Sequence, residues 1–306
     1  MVPKTEKIWL DGKLVDWDEA KVHVLVNGLH YGSGVFEGIR CYKTEKGRAI
    51  FRLEEHIDRF YNSAKVYFME IPFKKEEVGK AIKEVVKANS LQECYIRPIA
   101  FRGLGSLTLD FRENPVQVAV AAWPWGTYLG EDAIEKGIRC TFSSWVRIQN
   151  SMVPMIAKAT GQYINSSLAC IEAHLKGFDE ALMLDSRGFV SEGPGENLFL
   201  VKGPYIITPS VTSSILVGIT RDTIIKLALE LGFKVVERDV VKDEVLMADE
   251  LFFTGTAAEV TPIVEVDHRP IGNGKVGPVT KAIYTRFFEV IRRADSKYKD
   301  WFSFID

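Results

Sequence analysis

Apolar positions recur along this chain with two periods, and those periods divide it into strands and helices. Near the start, Lys7-Ile8-Trp9-Leu10 and Lys13-Leu14-Val15 flank Asp11-Gly12, a pair suited to a tight hairpin turn. The segment 28–38 is spaced by glycines, and its Tyr31-Gly32-Ser33-Gly34 portion is too glycine-rich for a regular helix. Strands are predicted at 39–43 and 49–52 around Glu45-Lys46-Gly47. Leu53, Ile57, Phe60, Ala64 and Phe68 then follow helical spacing. Val78, Ile82 and Val85 mark a second helix that Asn89 can end, and strands follow at 94–101 and 116–123. An antiparallel sheet carrying two helices is the expected arrangement of this half, an α+β layering.

Trp123-Pro124-Trp125-Gly126-Thr127-Tyr128-Leu129-Gly130 breaks all periodicity. The expected division is therefore a smaller domain at 1–122, a connection at 123–132 and a larger domain at 133–306. The second half reads as a strand at 137–144, then a helix whose apolar positions are Ile164, Leu168, Ile171 and Leu175. A hairpin at 180–190 turns on Asp185-Ser186-Arg187-Gly188. Strands are expected near 197–201, 204–208, 233–237, 250–254 and 260–266, with helices at 219–231 and 278–292.

With 306 residues and 46% hydrophobic composition the chain can bury a large core. Its net charge of −2, with no basic run, argues against nucleic acid or an anionic membrane as the main partner. No secretory h-region or membrane-length apolar span is present, and the four cysteines are scattered, so a reduced, cytoplasmic protein is expected. The five histidines show no metal-ligand spacing, and no metal site is expected.

One lysine stands out. Lys158 lies among small and apolar residues in Pro154-Met155-Ile156-Ala157-Lys158-Ala159-Thr160-Gly161, at or near the start of the predicted helix. A cation there faces the positive end of the dipole. It is either solvated, or it serves a site that needs the neutral amine, the form that attacks a carbonyl to make a Schiff base. Other segments offer anion sites. No Walker A or dinucleotide glycine pattern occurs, but Gly218-Ile219-Thr220-Arg221-Asp222 opens a helix whose first N–H groups suit an anion. Thr254-Gly255-Thr256-Ala257-Ala258 can aim backbone N–H groups at another; an ordinary cap and an ordinary turn are the alternatives. Arg59, beside Ile57 and Phe60, either pairs with a surface aspartate or is partly buried against phosphate or carboxylate. Glu192 precedes Gly193-Pro194-Gly195, where backbone can approach a flat ligand, and it can hold a cationic ring nitrogen or stay solvated. Tyr95 and Arg97 share one strand face, as a carboxylate grip or as exposed polar surface.

In their order these motifs resemble the fold-type-IV pyridoxal phosphate enzymes, and within them the branched-chain amino acid aminotransferases. The similarity runs from about Ile8 to about Phe288. It is carried by His30-Tyr31-Gly32, Phe36-Glu37-Gly38-Ile39-Arg40, Leu53-x-x-His56-x-x-Arg59, Tyr95-Ile96-Arg97-Pro98 and Ser144-Trp145. Lys158-Ala159-x-Gly161-x-Tyr163, Ser191-Glu192-Gly193-x-Gly195-Glu196-Asn197, Gly218-Ile219-Thr220-Arg221, Thr254 to Pro262 and Gly277-Pro278-Val279-Thr280-Lys281 complete the set. The resemblance implies a two-domain α+β fold like that of D-amino acid aminotransferase, with an N-terminal α/β sandwich and a larger domain built on a pseudo-barrel of strands. It implies ping-pong transamination of leucine, isoleucine and valine with 2-oxoglutarate, through pyridoxal 5′-phosphate held as an internal aldimine on Lys158. Glu192 would pair with the ring nitrogen and Tyr163 with the ring O3′, while Arg59, Ile219, Thr220 and Thr256 would hold the phosphate. Tyr95, with the Thr256 and Ala257 amides, would take the α-carboxylate. Phe36, Tyr31, Trp125 and Tyr128 would form the side-chain pocket, with Tyr31, Leu107 and Leu109 reaching across a subunit interface of a dimer or a trimer of dimers. Arg97, with Arg40 as a second candidate, would meet the γ-carboxylate of glutamate. D-Amino acid aminotransferase, 4-amino-4-deoxychorismate lyase and a non-catalytic carrier of the cofactor are the alternatives on the same fold.

Overall fold

The Asp11-Gly12 turn places both residues at positive φ, 44° and 97°, as a two-residue hairpin between twisted strands requires. The computed structural model describes residues 2–126 and 133–306. Packing divides the chain into two units. The first comprises Met1–Trp125, Ala157–Gly161 and Val290–Asp306, and the second Gly126–Ile156 and Gln162–Glu289. Two returns of the chain to the first unit were not expected from the linear order: Ala159 bridges to Val35, and Phe302–Phe304 pairs with Gly47–Phe51.

The first unit is an eight-stranded sheet. Its strands run in the spatial order Phe302–Phe304, Gly47–Phe51, Ile39–Thr44, Cys94–Arg102, Val116–Trp123, Lys7–Leu10, Lys13–Asp16, and Gly34–Phe36 also pairs with Cys94–Arg102. The helices Leu53–Val66 and Lys75–Ala88 bring Ile57, Phe60, Ile82 and Val85 onto sheet residues Ile39, Ile96, Val118 and Val120, all buried. The second unit holds another eight-stranded sheet, in the order Lys234–Arg238, Tyr205–Pro209, Asn197–Lys202, Glu250–Gly255, Glu259–Val266, Ile138–Phe142, Glu180–Leu182, with Arg269–Pro270 at the side. Three of its strand pairs are parallel, so it is a mixed sheet. Its strands Asn197–Lys202 and Glu250–Gly255 are nearly continuous buried runs.

Two elements differ from expectation. A five-residue helix, Asn27–Tyr31, forms inside the glycine-spaced segment and ends at Gly32 in the left-handed region. The helix Tyr163–Leu175 begins five residues after Lys158, and it buries its small side, Asn165, Ser166, Ala169 and Ala173. Small residues let it approach the Glu180–Leu182 strand closely, where Ala169 and Ala173 meet Phe178 and Ala181. Its large apolar residues point outward instead: Ile164 is 65% and Leu175 84% exposed. Among the described residues no helix is long and apolar enough to cross a membrane.

Candidate active site

Lys158 is positioned by a strand rather than a helix. Its carbonyl accepts from the Phe36 N–H at 3.0 Å, its own N–H donates to Ser63 Oγ at 3.0 Å, and Thr160 N–H reaches Gly34 O at 2.8 Å. The close approach needs glycine. A Cβ on Gly32, at φ +64°, would stand 2.6 Å from the Gly161 Cα. The expected helix-terminus position of Lys158 is therefore corrected. The reason is long-range pairing with Gly34–Phe36, a partner more than a hundred positions earlier that local periodicity cannot show.

Around Lys158 the first unit gathers several of the expected substrate residues. Lys158 Nζ lies 4.9 Å from the Phe36 ring centroid, and the Arg97 guanidinium 4.7 Å from the same ring. Arg97 Nη2 donates to Tyr95 Oη at 3.2 Å, so the shared strand face is a real contact. The Tyr95 ring meets Trp125 edge-on at 4.5 Å, and Arg40 Nη1 donates to the Trp125 carbonyl at 3.5 Å. A Cβ on Gly38 would fall 1.9 Å from Tyr95 Oη, so this glycine keeps the space in which the hydroxyl sits. Gly38→Ala is expected to swing Tyr95 away and break its bond to Arg97. A hydrogen bond to a charged group contributes about 1.5–3 kcal/mol, and the variant should lose about that much stability, measurable by denaturant titration.

Arg59 is partly buried against a carboxylate, the second of the two readings weighed above, and not paired with a surface aspartate. Its Nε and Nη2 donate to the two oxygens of Glu37 at 2.7 and 2.8 Å, and His56 Nδ1 donates to Glu37 Oε2 at 2.7 Å. Asp58, the surface candidate, pairs with Lys75 instead. Glu37 is fully buried. Burial alone would raise its pKa, but the adjoining Arg59 and His56 outweigh it and hold the carboxyl well below the usual range. Burial also lowers the pKa of His56, against the pull of Glu37. A depressed carboxylate contributes stability above the unfolded value of about 4.3, and a depressed histidine above about 6.5. Both contributions are lost on acidification. Glu37→Gln is expected to cost about 3 kcal/mol, near the lower end for breaking a buried pair because Arg59 keeps some exposure. It should also flatten the fall in stability below about pH 4, measurable by denaturant titrations across pH.

Tyr31, Leu107 and Leu109 form a separate group. Tyr31 Oη donates to the Leu107 carbonyl at 3.0 Å, and the three side chains are exposed, Leu109 by 79%. Tyr128 lies outside the described residues, as does most of the expected connection at 123–132.

In the second unit Glu192 is buried and fully engaged at both oxygens. Arg147 Nη2 stands 2.6 Å from Oε1, Asn197 Nδ2 donates to Oε2 at 3.0 Å, and the Leu216 N–H lies 3.1 and 3.2 Å from the two oxygens. A carboxylate held in this way can pair with a cationic ring nitrogen. Arg147 is itself held, through Nη1 to Ser166 Oγ at 2.8 Å. Sequence reasoning missed Arg147. The available signal was a guanidinium inside the apolar run Trp145-Val146-Arg147-Ile148, where burial demands an anion. The helix Ile219–Glu230 starts after Gly218, whose missing side chain matters: a Cβ there would stand 2.1 Å from Asn197 Oδ1. The helix end thus keeps its first amides, those of Ile219 and Thr220, beside the Glu192 network without a capping side chain. Thr256 and Ala257 lie in the turn between Glu250–Gly255 and Glu259–Val266, and nearby Thr254 Oγ1 is buried with no hydrogen-bond partner. Tyr163 opens its helix, half-buried. Within the second unit, a buried carboxylate, a helix start with no side-chain cap and a strand end with an unsatisfied hydroxyl are the kinds of group that a phosphorylated pyridine needs.

Comparison with known proteins adds the following. The model of the family described as amino-transferase class IV matches residues 34–266. The chain is 48% identical over 301 residues to the branched-chain-amino-acid aminotransferase of Pseudomonas aeruginosa, covering 98% of each chain. It is similar to the crystal structure of a T.th. branched-chain amino acid aminotransferase with pyridoxamine 5′-phosphate. There the TM-score is 0.96, with 49% identity and 99% of each chain covered. It is also similar to the T.th. enzyme complexed with N-(5′-phosphopyridoxyl)-L-glutamate, with a TM-score of 0.95, 48% identity and 99% of each chain covered.

Proposed function

Because the chain belongs to the class IV aminotransferase family, we propose that it exchanges amino groups between branched-chain L-amino acids and 2-oxoglutarate, with pyridoxal 5′-phosphate as cofactor. The observation that carries the substrate reading is the cluster on Phe36. One aromatic face, continued by Tyr95 and Trp125, suits an aliphatic chain, while the Arg97 guanidinium at its edge suits the γ-carboxylate of glutamate. Such a wall alone separates one methylene from none by only about 1–3 kcal/mol, so all three branched amino acids are substrates.

When bound, the cofactor supplies an electron sink for the pair left at Cα as its C–H bond breaks. Lys158, as the neutral amine, takes the Cα proton and returns it at the cofactor's C4′, acting as base and then as acid. Glu192 stays ionised and holds a proton at the ring nitrogen; Arg147, Asn197 and the Leu216 amide keep it in place. Arg59, oriented by Glu37, binds the phosphate with the Ile219 and Thr220 amides and Thr256. Tyr163 hydrogen-bonds the ring O3′. Tyr95 and the Thr256 and Ala257 amides bind the α-carboxylate, Phe36 and Trp125 exclude water, and Arg40 is a second partner for glutamate. These roles follow from the family pattern, residue by residue.

Exposed apolar groups support a homodimer or a trimer of dimers. Tyr31, Leu107 and Leu109 on one unit, and the outward face Ile164, Ile171 and Leu175 on the other, suit burial against a second copy. Sedimentation should give an even multiple of the chain mass at micromolar concentration, and a stable monomer would contradict the arrangement.

The reaction is tested by single-turnover rates of cofactor conversion, read by absorbance. L-Leucine, L-isoleucine, L-valine and L-glutamate should each convert the bound cofactor. Faster conversion by D-alanine than by L-leucine, or pyruvate release from 4-amino-4-deoxychorismate, would assign the site to another member of the fold.

A further inference from the structure

A cleft of about 940 Å³ opens in the first unit between the end of the helix Leu53–Val66 and the end of the strand Cys94–Arg102. None of the residues lining it is among those given above to cofactor or substrate. Its charge is unbalanced. Lys75 and Arg112 each have a counter-ion, Asp58 and Asp110. Lys65 and Arg102 have none among the described residues, and the carboxylate lining the cleft is Glu70. Arg102 is only 3% exposed. It donates to the carbonyls of Arg112 at 3.0 Å, Asn114 at 2.7 Å and Phe68, and its Nε has no hydrogen-bond partner. Neutral carbonyls accept from its two terminal nitrogens but do not neutralise its charge. Burial accordingly lowers its pKa, with the charge of Glu113 opposing. A cation buried without an anion leaves a positive potential at the neighbouring cleft, which favours an anion there.

The rim carries a second anomaly. After the helix Leu53–Val66, Phe68 N–H bonds to Lys65 O at 3.1 Å and Met69 N–H to Ala64 O at 2.9 Å, a helix-ending turn. Phe68 occupies its left-handed position, φ +53°, where glycine is the usual residue. This phenylalanine is 73% exposed, so the strained backbone holds a large aromatic ring out over the cleft rather than burying it. Tyr61, Met69 and Ile71 continue an apolar wall from it.

We propose that this cleft is a binding site for a small carboxylate with a hydrocarbon or aromatic body. The acid group lies against Lys65 in the field of Arg102, and the body packs on Phe68 and Ile71. The site needs no group of the transamination machinery, so its ligand can bind while the reaction proceeds.

The probe is 3-phenylpropionate, titrated calorimetrically into the holoenzyme and into Lys65→Glu and Phe68→Ser holoenzymes. The inference requires a binding event that each substitution weakens roughly fivefold or more, about what one partly exposed ion pair contributes. The uncharged 3-phenylpropan-1-ol should not produce that event. L-Leucine conversion rates and oligomeric mass should stay unchanged in both variants. Binding that neither substitution alters, or equal binding of the alcohol, would overturn the site. A changed oligomeric mass in Phe68→Ser would overturn it as well, since the cleft would then be a contact between copies.

Discussion

Lys158→Ala lowers the rate of amino-group exchange by about four orders of magnitude, the upper end of what one positioned acid–base group contributes. The chain should still fold. Lys158 is half-buried, and the contacts that fix its segment are backbone ones: its carbonyl to Phe36, its N–H to Ser63 Oγ, and Thr160 to Gly34. Alanine keeps all of them. Loss of rate with retained cooperative unfolding is therefore the expected pair of results. A small primary amine added to the solution should restore part of the proton transfer, because the space left beside Phe36 is that of the missing side chain. Full activity in the alanine variant would remove the lysine from the mechanism.

Glu192→Gln has the second largest effect, and it is a double one. It leaves the Arg147 guanidinium, 4% exposed, without its carboxylate, which costs about 3–5 kcal/mol of stability. It also removes the charge that holds a proton at the ring nitrogen, lowering the rate by about a hundredfold to a thousandfold, as for other preorganised electrostatic groups. The two effects separate in a second variant. Arg147→Met combined with Glu192→Gln removes both charges, and replacing both members of a buried pair is close to neutral. The double variant should regain most of the stability and none of the rate. Denaturant titrations and single-turnover kinetics on the two single variants and the double one close the cycle. If rate and stability recover together, Glu192 acts only through folding.

Much of the fold was legible because its elements carry a clean period. The helices at Leu53–Val66 and Lys75–Ala88, and the strands at Cys94–Arg102 and Val116–Trp123, each present one apolar face to one core. The helix Tyr163–Leu175 shows where periodicity misleads. Its strong stripe, Ile164, Ile171 and Leu175, marks the face turned outward, and its packed face is written in alanine, serine and asparagine. Period locates a helix but not the side that is buried when the buried side is small. Phe302–Phe304 carries no strand signal because three residues are too few to show alternation, and its pairing with Gly47–Phe51 is long-range.

The chemistry was legible in kind and less so in connection. Tyr95 and Arg97 follow from strand alternation, and the structure puts them in contact. The placement of Lys158 does not follow from any local rule, since Gly34–Phe36 sets it. Glu37 and Arg147 were hidden for a shared reason. Each is a charged residue inside an apolar run whose partner, Arg59 or Glu192, comes from elsewhere in the chain. A buried charge announces only that a partner exists, not which residue it is.

We propose above all that Lys158 carries the cofactor. Borohydride reduction of the holoenzyme, followed by proteolysis and mass spectrometry, tests it most directly. The expected result is one phosphopyridoxyl group, on the peptide containing Lys158 and at no other lysine. A mark on a different lysine, or none on a protein that exchanges amino groups, would contradict the account.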